Sequence, residues 1–135
     1  MAYWLMKSEP ESYSWDDLVR ERETEWTGVR NPAAALHLKA MQVGDQALFY
    51  HSGKDKAAVG VMEITRTARQ DGDLPRWVSV AVKPVAALAR PVTLAAMKGE
   101  PGLAGMEMLR QSRLSVSPLR DTEWALLLAM GQGAP

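Results

Sequence analysis

The residues that could do chemistry in this chain are few. It has two histidines, His37 and His51, and no cysteine. Without thiols there is no cysteine nucleophile, no disulfide and no Cys-based zinc site. A metal centre needs three or four ligands at compatible spacing, and no cluster of His, Asp and Glu supplies them, so neither metal nor cofactor is expected. No G-x-S-x-G elbow, P-loop or dinucleotide fingerprint occurs; Gly99, Gly102 and Gly105 flank Pro101 in what reads as a loop. His37, in Leu36-His37-Leu38, reads as a surface or half-buried helix residue. His51 follows a strand beside Ser52, Gly53 and Lys54 and is the one candidate for a ligand contact or a general base. The pair Asp16-Asp17 suits the first turn of a helix, where the dipole favours acidic groups. This repertoire points toward binding and away from catalysis.

Tryptophan carries more information. Five occur, at 4, 15, 26, 77 and 124, beside one Phe and three Tyr. Trp4, Trp15 and Trp124 fall in a strand or on the inner side of short helices and read as core; Trp124 shares helical spacing with Leu127 and Leu128. Trp26 follows the acidic stretch Glu21–Glu25 and precedes Gly28, with a helix start at Asn31-Pro32. An indole there stands at the rim of a loop, beside backbone N–H groups that favour an anion, and Arg30 adds a cation. An aromatic platform next to an anion site suits a flipped or unpaired nucleotide, the ring stacking on the base and the helix start holding phosphate. The alternative is a tryptophan that plugs the end of a barrel.

The elements that must position these residues can be read from periodicity and punctuation. Tyr3–Lys7 is a short aromatic strand stopped at Ser8-Glu9-Pro10. Ser14 caps a helix running to about Arg22, and Asn31 with Pro32 opens a helix to Met41. Gln46–Tyr50 and Ala58–Arg66 read as strands around a polar loop, His51–Lys56. Arg76–Val85 alternates as a half-buried strand, with Trp77, Ser79, Ala81 and Lys83 on one side. A short helix over Thr93–Lys98, a short strand over Leu114–Ser117 and a final helix over Thr122–Met130, capped by Asp121 and ended by Gly131, complete the chain. Short strands with helices interspersed and no regular βαβ alternation predict an α+β domain on a small mixed sheet or barrel, as a single domain over residues 1–135.

Composition sets limits on partners. Hydrophobic residues make up 47% and charged residues 24%, a globular mixture. Tyr3–Met6 is too short an apolar run for a signal peptide or a membrane span, and the chain reads as cytoplasmic. The net charge is zero, which argues against strong non-specific binding to long duplexes. The charge is unevenly spread, net −3 over residues 1–30 and net +5 over residues 31–120, so a local basic face is available.

Five blocks together resemble the EVE domain family, in its order and over nearly the whole chain. They are Met6-Lys7-Ser8-Glu9-Pro10, Trp26-Thr27-Gly28-Val29-Arg30-Asn31, Phe49-Tyr50-His51-Ser52, Val59-Gly60-Val61 and Arg113-Leu114-Ser115-Val116-Ser117-Pro118. The resemblance implies a PUA-like mixed β-barrel flanked by short helices, related to the YTH domains that read methylated adenine in RNA. It implies non-catalytic recognition of a modified base, in DNA more than in RNA, in an aromatic-lined pocket. On that reading Lys7 and Ser8 line the pocket floor, Trp26 with Gly28 and Val29 forms a wall, and Arg30 and Asn31 lie at its edge. Tyr50, His51 and Ser52 match the family's Phe49–Ser52 block, and Arg113 and Ser115 contact phosphate or the base edge. Trp77 is either a further wall or a buried strand residue. The sequence departs from the family in Ala33-Ala34-Ala35, where relatives often carry an arginine; this weakens expected phosphate contact or shifts it to Arg30 and Arg113.

Stacking a base on an aromatic ring contributes roughly 1–3 kcal/mol, and an added methyl in an apolar pocket about 1–3 kcal/mol more. Selective but weak binding by a monomer is the expectation. An RNA-binding PUA-like module and, less favoured, an enzyme acting on nucleotides or a small molecule through His51 are the competing readings.

Overall fold

The computed structural model describes residues 1–132. In chain order they form β1 (Tyr3–Ser8), α1 (Trp15–Glu21), β2 (Thr24–Trp26), α2 (Pro32–Ala40), β3 (Gln46–His51), β4 (Ala57–Gln70), β5 (Val78–Thr93) and α3 (Leu94–Lys98). A 3-10 turn at Pro101–Leu103, α4 (Glu107–Arg110), β6 (Val116–Leu119) and α5 (Asp121–Gln132) follow. The six strands make one mixed sheet in the order β2-β5-β4-β3-β1-β6. Only β1 and β3 are parallel, and the crossover between them carries α1, β2 and α2. Strands β2 and β6 are the two edges and do not pair with each other. The architecture is thus the expected mixed sheet with short flanking helices, but it is not a hydrogen-bonded closed barrel.

Side-chain alternation explains why both faces of this sheet are covered. Trp4 and Met6 of β1, with Ala47 and Phe49 of β3, join one apolar cluster; Leu5, Leu48 and Tyr50 join the other. Trp15 and Leu18 of α1 and Ala34 and Leu38 of α2 close the first cluster, while Met97 of α3, Met108 of α4 and Trp124 and Leu127 of α5 close the second. Trp4, Trp15 and Trp124 are core residues, as their spacing predicts.

The starts of α1 and α2 follow the sequence signals, whereas α5 begins at Asp121 itself, which is its first residue and not its cap. Ser14 and Asp17 form a reciprocal capping box (3.1 and 2.9 Å), the Asn31 side chain accepts from the Ala34 N–H (3.0 Å), and Thr93 accepts from the Ala96 N–H (3.1 Å). Asp45 is a buried acceptor that ties β1 to the turn before β3. It takes hydrogen bonds from Ala2 N (3.1 Å), Trp4 Nε1 (3.1 Å) and Gln42 N (3.0 Å).

The long hairpin departs most from the sequence reading. Strand β4 reaches Gln70 and β5 spans Val78–Thr93, well beyond Arg66 and Val85. Pro84, already inside the strand read from the sequence, sits opposite Met62 beside a register shift, one of four along this ribbon, and β5 also continues through Pro91. Bulges absorb a residue that cannot donate to the ladder, so the strand continues through it. Strand β2 and helix α4 are too short to leave a periodic signal. Helix α5 runs through Gly131, which packs on Leu88, to Gln132. Among the described residues no helix is long and apolar enough to cross a membrane.

Candidate functional site

The segment that leaves β2 is shaped by three local constraints. Trp26 is the last β2 residue and pairs with Val80 of β5. Gly28 then turns with φ +81°, a conformation that L side chains rarely adopt. Asn31 and Pro32 start α2, which fixes the direction of exit. A fourth constraint comes from far along the chain. Asp71, in the turn between β4 and β5, accepts from the Gly28 N–H (2.8 Å) and from Arg30 Nη1 (3.1 Å), and its backbone oxygen accepts from Arg30 Nη2 (3.3 Å). The Gly28 N–H first, and the Arg30 guanidinium with it, hold the Asp71 carboxyl below the usual carboxylate range against a smaller opposing effect of burial.

This loop forms one wall of a cleft of about 750 Å³, a size within the roughly 300–1,000 Å³ of small-molecule sites. Lys7 and Ser8 at the end of β1, Ser115 just before β6, and Ser12 and Tyr13 ahead of α1 complete it. Main-chain and side-chain bonds set those walls: Lys7 N donates to Ser115 O (2.9 Å), and Ser8 Oγ donates to Tyr13 O (2.6 Å). The Tyr13 hydroxyl donates to Glu21 Oε1 (3.0 Å), and burial pushes its pKa up, so it stays protonated.

Trp26 lines the cleft but does not stand free at its rim. It is only 7% exposed and meets Phe49 edge to face, with centroids 5.3 Å apart. Phe49, the chain's single phenylalanine, also packs edge-on against Trp15 (5.7 Å) and His51 (5.5 Å). The short β2 pairing pulls the indole inward, so Trp26 serves the core and the cleft together.

Apart from Lys7, the charges at the cleft are paired. Arg30 is paired with Asp71, and Glu25 bonds to Arg66 (3.1 Å) and to Arg69. The remaining polar groups suit an uncharged ring edge: hydroxyls at Ser8 and Ser115, and the Asn31 amide, whose oxygen is committed to the α2 cap.

Eight residues singled out in the sequence converge on this cleft: Lys7, Ser8, Trp26, Gly28, Val29, Arg30, Asn31 and Ser115. The other four do not. Tyr50 and Ser52 line a second, smaller cleft that shares Lys7, because β3 side chains alternate and Tyr50 points to the opposite face from Phe49. His51 lines neither. Its Nε2 accepts from the Trp15 N–H (3.0 Å) and its Nδ1 bonds to Asp55 (3.1 Å), so both ring nitrogens serve as struts for α1 and the following loop. Arg113 is exposed on a shallow groove with Arg110, which meets the first cleft only at Asn31.

Trp77 is half-buried between Arg76 (4.9 Å) and Arg30 (5.8 Å) and is not a cleft wall. Asp71 and Tyr13 escaped the sequence reading, and Phe49 entered it only as part of a family block. An acid in a Gly- and Asp-rich turn carries no local mark of a partner some forty residues away. Among the described residues no group of three His, Asp or Glu could hold a metal ion.

Comparison with known proteins agrees with the five sequence blocks. The EVE domain family matches residues 2–130. The chain is 33% identical over 171 aligned residues to human thymocyte nuclear protein 1, covering 99% of this chain and 76% of that protein. The solved structure of Rpa0253 from Rhodopseudomonas palustris superposes with a TM-score of 0.91 at 48% identity, covering 97% of this chain and 93% of that one. Human THYN1 in complex with 5-methylcytosine-containing DNA superposes at 0.92 and 32% identity, with both chains fully covered. A YTH domain from Zygosaccharomyces rouxii, at 16% identity and a TM-score of 0.61, covers 99% of this chain and 86% of its own and shows the shared PUA-like fold alone. By its sequence blocks, its sheet and these relatives, the chain belongs to the EVE domain family.

Proposed function

We propose that the first cleft receives a modified base of DNA, a 5-methylcytosine-type base before N6-methyladenine, and binds it without chemistry. The observation that carries this reading is the junction of a tryptophan with uncharged hydrogen-bonding groups in one 750 Å³ cleft. It lies in a chain that superposes along its full length on a human relative solved with 5-methylcytosine-containing DNA. Trp26 offers the stacking surface, and Ser8, Asn31 and Ser115 offer donors and acceptors to a ring edge. His51 holds α1 through the Trp15 N–H, which leaves the cleft without a histidine base and favours binding over turnover. A cysteine-free chain suits a reducing setting such as the cytoplasm.

Short labelled oligonucleotides carrying cytosine, 5-methylcytosine, 5-hydroxymethylcytosine or N6-methyladenine, in DNA and in RNA, test the reading by fluorescence anisotropy. The expected result is a preference for one modified DNA of about 10-fold or more, the size of discrimination an added methyl supports. Trp26→Phe keeps a ring against Phe49 and should reduce that preference. Equal affinity for every oligonucleotide, unaltered in Trp26→Phe, would refute it. A preference that survives only with ribose would transfer the site to RNA.

A further inference from the structure

The second cleft is smaller, about 290 Å³, and chemically unlike the first. Its floor is apolar, from Leu94, Met108 and Leu109, and its rim carries Lys7, Lys56 and Lys98 with no carboxylate among its lining residues. The one acid of the neighbouring loop, Asp55, is bonded to His51 Nδ1. Lys54 extends the basic rim along the adjoining groove that also carries Lys56 and Lys98.

Tyr50 is 3% exposed and lines this cleft, and among the described residues its hydroxyl forms no hydrogen bond. Burial pushes its pKa up, so it remains a donor. A donor without a protein partner at the wall of a cleft is available to a bound acceptor. Lys7 bridges the two clefts: it stands opposite Tyr50 in the β1–β3 register, with Nζ 5.8 Å from the Tyr50 ring. One of its three N–H donors goes to Ser112 O (2.7 Å), which leaves two.

We infer that the second cleft holds the backbone phosphate of a nucleotide next to the one whose base enters the first cleft, through Lys7, Lys56, Lys98 and the Tyr50 hydroxyl. The inference rests on the proposed base-binding role of the first cleft. It deepens that role by locating the affinity for the strand away from the site of base selection. Arg30 cannot serve the phosphate as well, since Asp71 already neutralises it. Lys56 and Lys98 lie outside the first cleft, so charge and base selection are separable by mutation.

The test is anisotropy of a short oligonucleotide with one 5-methylcytosine and of its unmodified twin, over a series of KCl concentrations. Lys56→Gln/Lys98→Gln should lower the slope of log affinity against log salt by roughly 0.7 on single strands or 0.9 on duplex, the contribution of one phosphate contact. The methylated-to-unmethylated affinity ratio should stay unchanged. Tyr50→Phe should weaken both oligonucleotides about 10-fold at an unaltered melting temperature, the usual scale of a hydrogen bond to a charged group. An unchanged slope in the double variant together with undiminished affinity in Tyr50→Phe would overturn the proposal. Inorganic phosphate that binds as tightly as the oligonucleotide, with the same lysine dependence, would also overturn it, as an isolated anion site. Loss of slope without any methyl preference in the wild type would keep the phosphate site and remove the base-binding reading instead.

Discussion

Asp71 Oδ2 accepts the Gly28 N–H at 2.8 Å, joining the β4–β5 turn to the loop that walls the first cleft across forty-three residues of sequence. The same oxygen takes Arg30 Nη1 at 3.1 Å, so one carboxylate sets both the turn of the loop and the direction of its cation. Asp71→Ala should destabilise the protein by about 1 kcal/mol in urea unfolding and weaken discrimination among modified bases. Asp71→Asn keeps an acceptor for Gly28 and should recover part of both losses. A loop whose amide exchange is unaffected by Asp71→Ala would show that Gly28 and Asn31 shape it alone.

Gly60 and Gly28 separate two reasons for glycine. A Cβ on Gly60 would lie 2.6 Å from the Trp15 indole, so Gly60→Ala forces the ring off β4 and should cost roughly 1–3 kcal/mol. A Cβ on Gly28 meets nothing within 4 Å, and the cost of Gly28→Ala is confined to its φ of +81°, about 1 kcal/mol. Chemical denaturation of both variants checks the order. Only Gly60→Ala should also alter the near-ultraviolet signal of Trp15.

Acid should loosen the fold through Asp45 and Asp71. Burial opposes ionisation of Asp45, but the N–H donors of Gln42, Ala2 and the Trp4 indole outweigh it and hold its carboxyl below the usual range. Both folded-state values are therefore lower than the unfolded ones. Their stabilisation is complete above the ordinary carboxylate range and is lost as pH falls through the folded values. The melting temperature should be level near neutrality and fall toward strong acid. Asp45→Asn should melt lower at neutral pH and show a shallower acid slope. Equal acid slopes in the two proteins would assign the acid sensitivity elsewhere.

His51→Ala should behave as a structural lesion. It leaves the part-buried Trp15 N–H without its acceptor, a loss of about 1 kcal/mol in unfolding experiments. Affinity for methylated DNA should stay within roughly threefold, because His51 lines neither cleft. A far larger loss of binding at constant stability would return His51 to the site.

Much of the site was legible because it is built on local signals. Gly28, Asn31 and Pro32 state a turn and a helix start through their own backbone preferences, and Lys7-Ser8 states a strand exit. The errors arose where the decisive partner is remote. Trp26 reads as exposed because its neighbours are acidic and polar, yet three residues of β2 pairing against β5 carry it onto Phe49. His51 reads as available because nothing nearby in sequence shows that the Trp15 N–H, thirty-six positions earlier, will bond to it.

The sequence by itself determined the helix caps Ser14 and Asn31, the apolar alternation of β1 and β3, the core tryptophans 4, 15 and 124, and the family blocks. These depend on residue type within a few positions, where backbone geometry alone decides which side chains share a face. Tertiary structure decided that the sheet stays open, that β5 runs on through Pro91, and that the twelve candidate residues divide between two clefts, a side groove and a strut. Such outcomes depend on register shifts and long-range hydrogen bonds, whose partners are fixed only when distant segments meet.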